Sequence, residues 1–76
     1  MKVRLGGVKR VRITGEFIKL DALLKYASVV MTGGEAKMMI QYGDVFVGDE
    51  QCLQRGRKIR RGDVVKIVGV GALIVI

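Results

Sequence analysis

Thr32-Gly33-Gly34-Glu35-Ala36-Lys37-Met38-Met39-Ile40-Gln41-Tyr42-Gly43, followed by Asp44-Val45-Phe46-Val47-Gly48-Asp49, is the stretch that decides the fold. Thr32 with Glu35 three residues on forms a capping box, in which each side chain satisfies a backbone amide of the other residue. The helix it opens turns Ala36, Met39 and Ile40 inward and stops at Gly43, a residue suited to the left-handed C-terminal position. Val45 and Val47 then alternate as a strand does, and Gly48-Asp49 supplies a two-residue hairpin turn with glycine first. A helix running straight into a hairpin excludes a pure bundle and a pure barrel.

Upstream, Leu20, Leu23, Leu24 and Ala27 recur at spacings of three and four, so residues 19–28 read as a short helix with one apolar stripe. Val29-Val30-Met31 reads as a buried connection to the second helix. Val3 and Leu5, then Val11 and Ile13, alternate with basic residues, as a strand with one charged face does. Gly6-Gly7 is a candidate turn between them. Downstream, a return strand is expected over 51–54, a basic loop over 55–61, a β region over 64–68 and an apolar strand over 72–76, punctuated by Gly69 and Gly71. Phe17 and Phe46 are assigned to the core; Tyr26 and Tyr42 could stack on bases, but at helix ends they read rather as partly buried packing residues. The class is α+β, with two short helices packed on a small, mostly antiparallel twisted sheet.

The chain has 76 residues, enough for one small domain spanning 1–76. Half of them are apolar, so a packed core is expected despite the charge. Lys and Arg number 14 against 7 acids, a net charge of +7, which favours a polyanionic partner, nucleic acid ahead of an anionic membrane. The absence of His removes imidazole catalysis and His metal ligation. Cys52, the only cysteine, supports neither an internal disulfide nor a zinc site, and with no His beside it reads as a small apolar strand residue. No catalytic residue, metal or cofactor is therefore expected. No apolar run reaches the ~18 residues of a membrane span, and no signal peptide is evident. The expected location is the cytoplasm.

Three features carry candidate chemistry. At the start of the second helix, Thr32, Gly33 and Gly34 present backbone amides to which a phosphate can bind, with Lys37 one turn on. The competing reading is a capped helix after a tight turn, and Glu35 favours it by competing for the same donors. The spacing is not that of a nucleotide P-loop. The second feature is Arg55-Gly56-Arg57-Lys58-Ile59-Arg60-Arg61, five bases in seven residues without an acid. Such a run is either a solvated loop or a set of phosphate contacts, and Ile59 anchors it in the core. The third is the N-terminal arm 1–14, with Lys2, Arg4, Lys9, Arg10 and Arg12 and no acid. It either extends a positive surface or protects a sheet edge from self-pairing. Asp21 suits the start of the first helix, and Asp63 is expected to tie the loop backbone by a side-chain hydrogen bond.

Taken in order, Ile18-Lys19-Leu20-Asp21-Ala22-Leu23-Leu24-Lys25, Thr32-Gly33-Gly34-Glu35-Ala36-Lys37, Ile40-Gln41-Tyr42-Gly43-Asp44-Val45-Phe46-Val47-Gly48-Asp49 and Gly62-Asp63-Val64-Val65 resemble one family. This is the RNA-binding domain named for ribosomal small-subunit protein four, or alpha-L RNA-binding motif, and in particular its stand-alone bacterial members. The resemblance covers about residues 16–68. It implies two helices on a small antiparallel sheet, with RNA held by the helical face and adjoining loops. The family's Arg-Leu-Asp is Lys19-Leu20-Asp21 here, and its Ser-Arg before the second helix is Thr32-Gly33. The arginine contact is thus replaced by backbone amides, and the heavier basic run before Gly62-Asp63 compensates. The residues expected to hold RNA are Lys19, Thr32, Gly33, Gly34 and Lys37 on the helix side, and Arg57, Lys58, Arg60 and Arg61 on the loop side.

The function expected is non-catalytic binding of structured RNA, ribosomal RNA or tRNA, with a ribosomal subunit as a further partner and a monomer as the favoured state. Two alternatives stand beside it. A winged helix-turn-helix on DNA suffers from a long inter-helix segment and from only Lys37 and Gln41 as outward readers. An assembly module would use the apolar tail 72–76 at a sheet edge, against the simpler reading of that tail as a buried strand.

Overall fold

A computed structural model describes residues 7–76. The strand expected around Val3 and Leu5, with the cations Lys2 and Arg4, lies outside the described residues. Element order is β1 (Gly7–Val11), β2 (Ile18–Lys19), α1 (Leu20–Tyr26), α2 (Gly33–Gln41), β3 (Val45–Val47), β4 (Glu50–Gln51), β5 (Lys58–Ile59), β6 (Val64–Ile67) and β7 (Gly71–Val75). Five strands form one sheet in the order β1-β7-β6-β3-β4, while β2 and β5 make a separate antiparallel pair. All ladders are antiparallel except β1 with β7. The α+β plan of two short helices on a mostly antiparallel sheet is the observed one.

The helices form where the apolar spacing places them. Leu20, Leu23 and Leu24 of α1 and Ala36, Met39 and Ile40 of α2 are buried. They share one core with Val45 and Val47 of β3, Val65 and Ile67 of β6, and Leu73 and Val75 of β7. The capping box is complete: Glu35 N–H donates to Thr32 Oγ1 at 3.1 Å and Thr32 N–H to Glu35 Oε1 at 3.2 Å. The hairpin also forms as read, with Val47 opposite Glu50 and Gly48 at φ +63, a conformation that glycine adopts without strain.

Several expectations are corrected. Gly7 is the first residue of β1, and the turn expected at Gly6-Gly7 lies partly outside the described residues. Val29 and Val30 are buried, but Met31 is 75% exposed, because the chain must leave the core to present Thr32 as a cap. The return strand is two residues, Glu50–Gln51, instead of 51–54; Cys52 turns into the core and Leu53 lies exposed. The basic stretch 55–61 is not a free loop, since Lys58 and Ile59 pair with β2. Phe17 is 39% exposed, Phe46 half-buried, and both tyrosines are exposed, so the aromatic rings do not build the core. The tail is central: β7 lies between β1 and β6, and both of its edges are occupied. This removes the sheet-edge pairing on which the assembly reading rested.

The β1–β7 pairing joins the two ends of the described chain, and Ile76 N–H completes it by donating to Val11 O at 2.8 Å. The outer edge is then β1, whose Lys9 and Arg10 are of the kind that discourages edge-to-edge pairing.

Candidate nucleic-acid interface

The short β2–β5 ladder organises the cations. Ile18 lies opposite Ile59, and Lys19 opposite Lys58. Ile59 is fully buried and Ile18 packs against the core, so the alternation of a strand turns Lys19 and Lys58 outward together. Arg60, directly after β5, is exposed. Directly opposed side chains on one face stand ~5 Å apart at Cβ, and like charges there are destabilising. The chain thus holds two lysines directly opposite one another on a ladder of two residue pairs.

The ladder is fastened to the helix that follows it. Lys19 is the N-cap of α1 in extended conformation, with no side-chain cap. Leu20 N–H donates to Arg57 O at 2.9 Å and Asp21 N–H to Arg55 O at 3.0 Å. Carbonyls of the basic stretch therefore take the first amides of α1, which are not left for an anion. Asp63 Oδ2 accepts from Arg60 N–H at 2.8 Å, the tie expected of it. Arg61 donates from Nη2 to Ile13 O at 2.9 Å, anchoring its guanidinium near the end of β1.

The α2 end of the surface is built differently. Gly33 lines an open groove with Ile18, Asp21, Ala22, Lys25 and Tyr26, so the start of α2 faces the exposed side of α1. Lys37, four residues beyond Gly33, is on the same face of α2 and exposed. Neither Gly33 nor Gly34 has a positive φ, and a Cβ on Gly33 would meet nothing within 4 Å. Glycine at the first position of this helix is thus not demanded by the fold. Glu35 accepts from Met31 N–H at 3.1 Å as well as from Thr32, so its carboxylate serves the cap.

The expected residues do not all converge. Lys19 and Lys58 share one face of the ladder, and Gly33 borders the groove against α1. Arg57, by contrast, lines a separate cleft with Glu50, Gln51, Cys52, Leu53 and Gln54. Lys25, not among the expected RNA-holding residues, lines the groove beside Gly33, and Phe17 and Tyr26 are exposed near it. Lys25 is one helical turn beyond Asp21, a spacing that shares a face, so the helical stripe already held that signal. Lys58 Nζ lies 4.8 Å from the centre of the Phe17 ring, a cation–π contact that fixes the ammonium. Tyr26 Oη donates to Arg12 O at 3.0 Å.

Acidic groups are mostly engaged elsewhere. Lys66 donates to Asp49 Oδ1 at 2.9 Å, and that hydrogen bond, with the charge behind it, lowers the Asp49 carboxyl below its ordinary pKa. Asp21 is the acid that borders the groove; its Oδ1 accepts from Ala22 N–H at 2.8 Å.

Comparison with known proteins agrees with this architecture. Residues 11–76 match the S4 domain family, a span that runs through β7 and beyond the quoted motifs. Over 66 residues the chain is 42% identical to a protein of Bacillus subtilis (strain 168) described as probable ribosome maturation protein RlbA, covering 87% of this chain and 93% of that protein.

Proposed function

The chain belongs to the S4 domain family, and from that premise we propose that it is a non-catalytic protein that binds structured RNA in the cytoplasm during ribosome maturation. The RNA is ribosomal RNA or tRNA, held through its backbone and shape, since side chains read the deep groove of A-form RNA poorly. Lys19, Lys58 and Arg60 make phosphate contacts from the ladder, with Arg61 beside them. Thr32, Gly33, Gly34 and Lys37 contact the backbone from α2. Arg57 contributes from the neighbouring cleft, and Lys25 joins the set from α1.

The observation that supports this reading is the register of Lys19 with Lys58. Two opposed lysines weaken a ladder in the free protein, and an anion bound by both turns that repulsion into attraction. The S4 match supports RNA as the source of the anion, and the relative's description supports the ribosomal setting.

Competition binding tests the proposal. A fluorescent ribosomal RNA fragment bound to the protein is challenged with unlabelled structured RNA or with duplex DNA of equal length. RNA is expected to displace the probe at far lower concentration. Equal displacement by duplex DNA would overturn the RNA reading in favour of general polyanion binding. Sedimentation of the tagged protein from a bacterial lysate tests the ribosomal setting: it should travel with subunit-sized particles and leave them in high salt.

A further inference from the structure

Phe17, Tyr26, Ile13, Ile18, Thr14 and Gly15 border a cleft of about 320 Å³, near the lower limit of small-molecule sites at ~300 Å³. Ile13 is buried and Ile18 is partly buried, so an apolar floor lies between two exposed rings, Phe17 at 39% and Tyr26 at 60% exposure. A chain this small gains most by burying its few aromatic rings, yet these two border an open cleft. Both are held in place. The Tyr26 hydroxyl is tied to Arg12 O, which fixes one edge of the ring, and Lys58 rests on Phe17.

Cations stand at the rim. Arg61 is fastened to Ile13 O through one nitrogen and keeps further N–H donors. Lys58 connects the cleft to the ladder it shares with Lys19. Ile18 and Tyr26 also border the inter-helix groove that reaches Gly33, so cleft and groove adjoin. Apolar floor, aromatic walls and a cationic rim together match a nucleobase with its own phosphate. An apolar peptide side chain would leave the cations without partners.

We propose that this cleft receives a single unpaired base of the bound RNA, stacked against Phe17 and Tyr26, with its phosphate on Lys58 and Arg61. The inference rests on the RNA-binding reading and adds what kind of RNA is chosen: a helix interrupted by a bulged or looped-out nucleotide. Stacking on an aromatic platform is tolerant of base identity, so the preference is for the unpaired state rather than for a sequence.

Two RNA hairpins of identical stem test it, one fully paired and one carrying a single bulged 2-aminopurine. Wild-type protein is expected to bind the bulged hairpin roughly tenfold more tightly, with quenching of the 2-aminopurine fluorescence on binding. Phe17→Leu keeps apolar bulk and removes the ring; it should erase the quenching and bring the bulged hairpin down to the affinity of the paired one, with a smaller loss on the paired hairpin from release of Lys58. Tyr42→Leu, at an exposed tyrosine that does not border the cleft, should change neither. Equal affinity of the wild type for both hairpins would overturn the base site and leave the RNA-binding reading standing. Retention of the preference in Phe17→Leu would also overturn it. Binding of neither hairpin would bring down both readings.

Discussion

Two backbone positions show opposite compromises. Ser28 follows α1 at φ +61, a left-handed conformation costing an L-residue roughly 1 kcal/mol, which Gly avoids. Its N–H donates to Lys25 O at 3.0 Å, so the turn is required to close the helix. Ser28→Gly should therefore stabilise the protein by about 0.5–1 kcal/mol and raise Tm by a few degrees in thermal denaturation. Gly33 is the reverse case: a glycine in a helical position with open space where its Cβ would be. Gly33→Ala should stabilise the free protein by roughly 0.5 kcal/mol through helix propensity and weaken RNA binding by crowding the backbone. If Gly33→Ala binds RNA as well as wild type, the α2 start is not a contact. Residue types alone did not reveal which aromatic rings stay exposed. The sequence places Phe17 in the core and weighs Tyr26 between packing and base stacking, whereas both rings are exposed, because Ile13 and Leu20 already fill the adjacent core.

At the level of elements, the helices were legible because their signals are local. The Leu20-Leu23-Leu24-Ala27 stripe and the Thr32–Glu35 box each lie within a few turns, and both recur in the structure as read. Thr32→Ala removes the oxygen that accepts from Glu35 N–H and should cost about 1 kcal/mol of stability, measured by chemical denaturation. The β2–β5 ladder was not legible, since each strand is two residues long and the partners lie far apart in sequence. Its composition was visible but its register was not, and the register is what sets Lys19 against Lys58. Lys19→Glu replaces repulsion with attraction across the ladder and places a negative charge at the start of α1, where the helix dipole favours it. The free protein should gain roughly 0.5 kcal/mol at low salt, while RNA affinity falls. A Tm at or below wild type would show that the two lysines do not repel one another.

Over the whole molecule, the parallel pairing of β1 with β7 makes the ends of the described chain neighbours and brings Arg12 and Arg61 to the region of Phe17 and Tyr26. One sequence does not reveal such pairing, because neither strand's alternation encodes its partner. The charge distribution read along the chain was correct in sign but not in geometry. The basic run contributes Lys58 to the ladder face, whereas Arg57 turns to another cleft. The proposed phosphate contacts of Lys19, Lys58 and Arg60 predict that the three act as one unit. The direct measurement is RNA affinity as a function of salt for wild type and for the Lys19→Gln/Lys58→Gln/Arg60→Gln variant, with Lys66→Gln, whose ammonium pairs with Asp49, as control. Each lost phosphate contact removes about one from the slope of log affinity against log salt, so the triple variant should lose roughly 2–3 and the control almost nothing. A triple variant that folds normally and keeps the wild-type slope would contradict a shared cationic surface.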